Sequence, residues 1–234
     1  MNIRMKFKKN GCMKFIGHLD IMRYFQKAIR RADIDIAYSE GFSPHMIMSF
    51  AAPLGVGLTS EGEYVDLQVN SCASSKGAVD ALNSVMVDGM EVVSFKLLPE
   101  NVKNAMSSVA AADYFVNFRE GYAPENWETK FEAFLQKEEM LIVKKTKRSE
   151  AEVDLKPMLY KTELRDGGIF MQVACGSVNN LKPELVMEAF AKDAGIELPA
   201  FSLEVCRLEV YADLGDEATK KLVPLEELGE DIES

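Results

Sequence analysis

The chain opens on alternation. From Asn2 to Lys8 polar and apolar residues take turns (Asn2-Ile3-Arg4-Met5-Lys6-Phe7-Lys8), the period of two of a strand with one buried face. At Leu19 the period lengthens. Leu19, Met22, Phe25 or Gln26, Ile29 and Ala32 or Asp33 recur at three- and four-residue steps, which predicts an amphipathic helix over 18–32. Arg23, Lys27, Arg30 and Arg31 fall largely on its other side. Residues 46–50 and 64–69 read as strands, with the turn-rich stretch 53–62 between them. Residues 75–86 predict a second helix and 90–95 a fourth strand.

This order, β-α-β-β-α-β, is that of the split βαβ unit. A second copy begins after a polar, small-residue stretch at 99–110. Residues 114–118 read as a strand, 125–136 as a helix and 141–147 as a strand. Asp166-Gly167-Gly168 marks a hairpin between 159–165 and 169–174. A helix over 182–193 is entered through Pro183, and a long strand covers 201–211. The expected fold is α+β: two tandem ferredoxin-like (split βαβ) domains with antiparallel sheets, at 1–98 and 110–212. Residues 213–234, with eight acids against Lys220 and Lys221 and no apolar period, are expected to form a disordered tail.

Charge sharpens this picture. The 234 residues carry a net charge of −10, yet residues 1–50 hold nine Lys or Arg against four acids. A globally acidic chain is not an indiscriminate nucleic-acid binder, while a local basic face is compatible with a specific RNA contact. A second basic stretch runs from Lys144 to Arg148 and serves either as part of a groove or as a charged strand edge. No apolar run reaches the length of a membrane span, and the alternating N-terminus does not read as a signal peptide. Four scattered cysteines suggest no disulfide framework, so the chain is expected in the cytoplasm, with no membrane partner.

Candidate chemistry concentrates in residues 17–63, which hold both histidines. In Gly17-His18-Leu19-Asp20 the pair His18 and Asp20 is either a helix-start device or a couple for general acid–base work. Gly41-Phe42-Ser43-Pro44-His45 reads as a tight loop. Phe42 either plugs the core or stands beside His45 as an aromatic platform for a base. Topology places His18 where the first strand ends and His45 at the other end of the sheet, so the two are expected to act separately. Two histidines and four separated cysteines give no metal-ligand spacing, and Gly55-x-Gly57 with Gly62 lacks the lysine of a phosphate loop. No metal and no cofactor are therefore expected. The chain also lacks the three-cysteine motif that ligates the cluster of a radical SAM enzyme.

These residues, together with Ala28-x-Arg30-Arg31-Ala32, Tyr38-Ser39-Glu40, Pro53-Leu54-Gly55-Val56-Gly57 and Ser60-x-Gly62-Glu63, resemble the radical SAM-linked protein family. This is a bacterial domain of unknown function, fused to or encoded beside a radical SAM protein. The likeness is dense over about 3–69, returns at Asp154-Leu155-Lys156-Pro157 and spans about 1–212. Gly17, Ser43 and Met46 stand where the family more often has Ser, Asn and Pro. The resemblance implies a radical SAM protein as partner and an accessory role, RNA-binding or substrate-presenting. Arg23, Lys27, Arg30 and Arg31 would then meet phosphate, and Gly41, Phe42, Pro44 and His45 a base or the partner. The alternatives are a metal-independent ribonuclease using His18, with Asp20, or His45 as acid–base, and a structural interaction subunit. Tandem ferredoxin-like domains also occur in CRISPR-repeat endoribonucleases, whose glycine-rich C-terminal loop this chain lacks.

Overall fold

Strand β1 (Asn2–Lys9) leads into a 3-10 turn (Gly11–Phe15) and helix α1 (His18–Arg31), followed by β2 (Met48–Phe50), β3 (Thr59–Gln68), α2 (Ser75–Asn83) and β4 (Met90–Leu97). A one-turn helix α3 (Ala105–Ser108) precedes β5 (Val109–Phe118), α4 (Trp127–Leu135), β6 (Leu141–Lys145) and β7 (Glu150–Asp154). The hairpin β8 (Leu159–Arg165) and β9 (Gly168–Ala174) follows, then α5 (Pro183–Ala194), β10 (Leu203–Asp213), β11 (Leu222–Pro224) and a 3-10 turn over Leu225–Leu228. The structure, a computed structural model, describes residues 1–145, 150–216 and 219–233. The fold is α+β with mostly antiparallel sheet.

The chain divides into two compact units, one of residues 1–111 with 207–234 and one of residues 112–206. In the first, β1 lies between β4 and β3, antiparallel to both (Ile3↔Leu67, Met5↔Phe95). β2 pairs the second half of β3 (Met48↔Leu67, Phe50↔Val65), and the part of β10 from Arg207 onward lies beside its first half. Ile3, Met5 and Phe7 of β1 pack with Ile21, Phe25 and Ile29 of α1 and with Ala78 and Leu82 of α2, so both helices cover one face. Phe7 and Phe25 meet edge to face at 4.6 Å, and Phe50 lies 6.0 Å from Phe7.

The other face of β1 is covered as well, against the expectation of a half-buried strand. Arg4 is fully buried. It forks onto Asp66 at 2.8 and 2.9 Å and donates to the carbonyls of Lys103 and Leu225. Lys6 donates to Glu209 at 2.6 Å and to Glu226 at 2.5 Å. Residues 219–233 thus correct the disordered tail: β11 pairs β10, Leu225 is wholly buried and Glu226 neutralises Lys6. The polar stretch after Pro99 is pinned too, because the Ala105 amide donates to Asp66.

In the second unit the order is β10-β5-β9-β8, with Phe131 and Phe134 of α4 against Phe190 of α5. β6 is not a strand of this sheet. Among the described residues it pairs only with β7, in a two-stranded ribbon of its own.

Candidate functional site

The 14 residues of α1 bury Ile21, Phe25, Ala28 and Ile29 and expose Arg23, Lys27, Arg30 and Arg31 on the opposite side, as a period of 3.6 requires. Arg23 is held by Asp20 at 3.1 Å. Among the described residues no carboxylate lies within ion-pair distance of Lys27, Arg30 or Arg31. The helix ends in a Schellman arrangement: Asp33 takes a left-handed conformation (φ 53°), and the Ile34 amide reaches back to the Ile29 carbonyl at 3.2 Å. Ile36 then bridges Val69, and Tyr38 bridges Met46, so residues 36–47 form a narrow loop directly after the basic end of α1.

That loop presents Phe42 to solvent rather than plugging it into the core. Its relative exposure, 111%, is that of a side chain touching nothing. Gly41, at φ 107°, makes the turn beside it. The loop is nevertheless tied. The Ser39 amide donates to the His45 carbonyl at 2.9 Å, the His45 amide to Ser39 Oγ at 3.1 Å, and Ser39 Oγ lies 2.8 Å from His45 Nδ1. With the hydroxyl donating to Nδ1, Nε2 carries the ring proton and is free to donate.

The other histidine stands elsewhere. His18 starts α1, half-buried, with its ring 5.1 Å from Phe50 and edge-on to it. His45 is five residues before Phe50, about 16 Å of extended chain. Nor does His18 form a couple with Asp20. The Asp20 carboxylate serves Arg23, and among the described residues neither ring nitrogen of His18 has a hydrogen-bond partner. Loop 53–57 passes close by, with the Gly57 amide donating to the Lys14 carbonyl at 2.7 Å.

His18 lines a cavity of about 20 Å³ with Lys9, Ile21, Phe50, Leu54 and Glu63. Glu63 is locked in a buried pair with Arg207, which donates to both its oxygens and also to the Ala52 carbonyl. Lys9 is only 3% exposed and has no hydrogen bond or ion pair among the described residues. Burial pushes its ammonium below the ordinary lysine value; the charge of Glu63 opposes that shift and the charge of Arg207 adds to it. Sequence reasoning singled out His18, Leu54 and Glu63 but missed Lys9 and Arg207. The signal for Lys9 is the alternation itself, since counting by two from Ile3 puts residue 9 on the apolar face. Arg207 carries no such signal, because its partner is 144 positions away.

In the second unit, a cavity of about 490 Å³ is lined by Ile142, Val153, Leu155, Leu181 and Leu185 with Asn179. The Asp154-Leu155-Lys156-Pro157 motif borders it structurally: Leu155 is buried and Asp154 accepts the amides of Met140 and Lys156. Of the basic stretch at Lys144 to Arg148, residues 146–148 and the side chains of Lys144 and Lys145 lie outside the described residues. No helix among the described residues is long and apolar enough to cross a membrane.

A family model described as an uncharacterized protein conserved in bacteria (DUF2344) matches residues 2–183, which include α1, the 36–47 loop and the cavity residues up to Glu63. The chain belongs to the DUF2344 family. Arg207 and the closing segment of this DUF2344 chain lie beyond the matched residues. No curated protein matches it. Among solved structures it is similar to a chain described as the crystal structure of a Cbf5-Nop10-Gar1 complex, at 11% identity and a TM-score of 0.43. The likeness covers 89% of the DUF2344 chain and 48% of the other, so this chain spans about half the length of the one it matches.

Proposed function

We propose that this chain is a non-catalytic, RNA-binding accessory of a radical SAM protein. The observation that supports it is the wholly exposed Phe42, held on a tied loop that directly follows a helix whose Lys27, Arg30 and Arg31 lack acidic partners. In this reading the three cations meet phosphates, Arg23 joins them at the cost of its Asp20 contact, and Phe42 stacks on an unpaired base. His45 Nε2 donates to the same nucleotide, and Gly41 and Pro44 set the loop's shape. The radical SAM partnership rests on the resemblance of residues 17–63. We read both units as ferredoxin-like. The orders β4-β1-β3-β2 and β10-β5-β9-β8 support this, each placing the last strand of a βαββαβ set beside its first.

Fluorescence anisotropy with single-stranded RNA tests the reading. Three or four phosphate contacts predict a slope of log K against log salt of about −2 to −3. Phe42→Ala should weaken binding about tenfold, and Arg30→Ala with Arg31→Ala should flatten the slope. No binding at low salt, or a slope near zero, removes RNA as the ligand. The exposed phenyl also fits a second reading, a knob on a protein interface. Loss of co-purification with the radical SAM protein in Phe42→Ala, with no RNA binding in either form, selects it.

A further inference from the structure

We infer that the cavity at the start of α1 is an oxyanion site, in which Lys9 and His18 take one oxygen of a phosphate or carboxylate group. Three permanently or conditionally charged side chains meet there: Glu63 from β3, Arg207 from β10 and Lys9 from β1. Glu63 and Arg207 satisfy each other through two parallel hydrogen bonds, which leaves Lys9 as an unmatched cation. Lys9 is 3% exposed, and its ammonium, which reaches solvent, has no protein partner among the described residues. Beyond hydration it has two ways to lower its cost: release its proton or accept an anion.

The surroundings favour the second. Phe7, Ile21, Phe50, Pro53 and Leu54 form apolar walls, in which an anion facing the ammonium interacts more strongly than in water. A volume of about 20 Å³ holds one oxygen atom, as it would one water, but not a whole phosphate. The remainder of the group therefore stays at the mouth, where His18 is half-buried and Pro53 is exposed. The His18 ring, edge-on to Phe50 and without a hydrogen-bond partner among the described residues, supplies the second donor. Asp20, the nearest acid in sequence, is occupied by Arg23. This site is independent of the Phe42 surface and stands or falls without it.

Thermal unfolding of the full chain tests the inference. It is measured with sodium phosphate, with sodium acetate and with sodium chloride at matched ionic strength. Phosphate, acetate or both should raise Tm by several degrees over chloride at concentrations well above Kd, and the pattern names the oxyanion. Lys9→Met keeps the length of the side chain and removes the charge. It should melt no lower than wild type in chloride and lose the oxyanion response. No response in wild type, or an equal response in Lys9→Met, overturns the site. Should Lys9→Met fail to fold, the titration midpoint of the Lys9 Cε resonance in the wild-type protein decides: phosphate or acetate must raise it, and an unmoved midpoint overturns the site. Phe42→Ala should respond as wild type does, which separates this test from that of RNA binding.

Discussion

Glu63 and Gly62 sit side by side in one motif of the sequence, and both turn out to hold β3 to β10. A Cβ on Gly62 would lie 2.8 Å from the Leu208 carbonyl oxygen, closer than real contacts allow, so glycine is required by the approach of another strand's backbone. Glu63 is 5% exposed and answers a guanidinium that is 2% exposed. Neutralising it in Glu63→Gln leaves Arg207 charged and buried, which should cost roughly 3–5 kcal/mol in urea unfolding. Asp20→Asn breaks an ion pair whose side chains are both about two-thirds exposed, and the same measurement should register at most about 0.5 kcal/mol. Equal effects from the two would show that burial does not govern the Glu63 pair. Phe42 belongs to the same dense stretch of motif residues and makes no packing contact. A motif in a sequence thus marks positions under constraint without saying which of them face solvent. Gly62, Glu63 and Phe42 were all visible; their separation into scaffold and surface needed the location of β10.

The alternation of residues 2–8 identified β1 correctly, because side chains in a strand change face at every residue whatever lies outside it. It was silent about what covers the second face. Cover comes from sequence-distant pieces, the Lys103–Ala105 stretch and the 225–228 turn, each docked by hydrogen bonds to Arg4, Asp66 or Lys6. A pH prediction follows from that face. Burial alone would lower the Lys6 ammonium, but its hydrogen bonds to Glu209 and Glu226 and their charges outweigh burial and hold it above the ordinary lysine value. Burial, with the adjacent Glu209 charge, also pushes the Tyr64 hydroxyl far above its usual range. A raised folded-state value means that the folded protein keeps a proton that the unfolded chain gives up. The stabilisation from both groups is therefore complete below about pH 10 and is lost as pH rises beyond it. Melting temperatures measured from pH 8 to 11 should hold or rise slightly at first, because the lowered Lys9 ammonium gives up its proton sooner in the folded protein, and fall beyond pH 10. Glu226→Gln should start lower and fall less steeply, since Lys6 is then lifted less. A wild-type Tm that climbs above pH 10 would contradict this assignment.

At the scale of the chain, the division expected from local patterns, with cuts near 99–110 and 212, differs from the one observed. The βαββαβ order of residues 1–97 is complete in itself, and period analysis has no reason to look further. Electrostatics has a reason. The basic excess of residues 1–50 and the acids of 213–234 are the two largest local imbalances in the sequence, and they meet in the Lys6–Glu226 pair. Residues 207–234 thus complete the first unit: they supply Arg207 to Glu63, Glu209 and Glu226 to Lys6, and the Leu225 carbonyl to Arg4. A fragment of residues 1–111 keeps its hydrophobic core but leaves Lys6 and Glu63 buried without partners. At roughly 3–5 kcal/mol for each, that loss consumes most of the stability of an ordinary domain, about 5–15 kcal/mol. The fragment should therefore show little fixed tertiary structure by near-ultraviolet circular dichroism and no cooperative urea transition. Adding a peptide of residues 207–234 in trans should restore both, saturably, because it returns the four missing contacts at once. If 1–111 unfolds cooperatively alone and the peptide changes nothing, then the charges on β1 are hydrated in the fragment, and the first unit is continuous in folding despite being discontinuous in sequence.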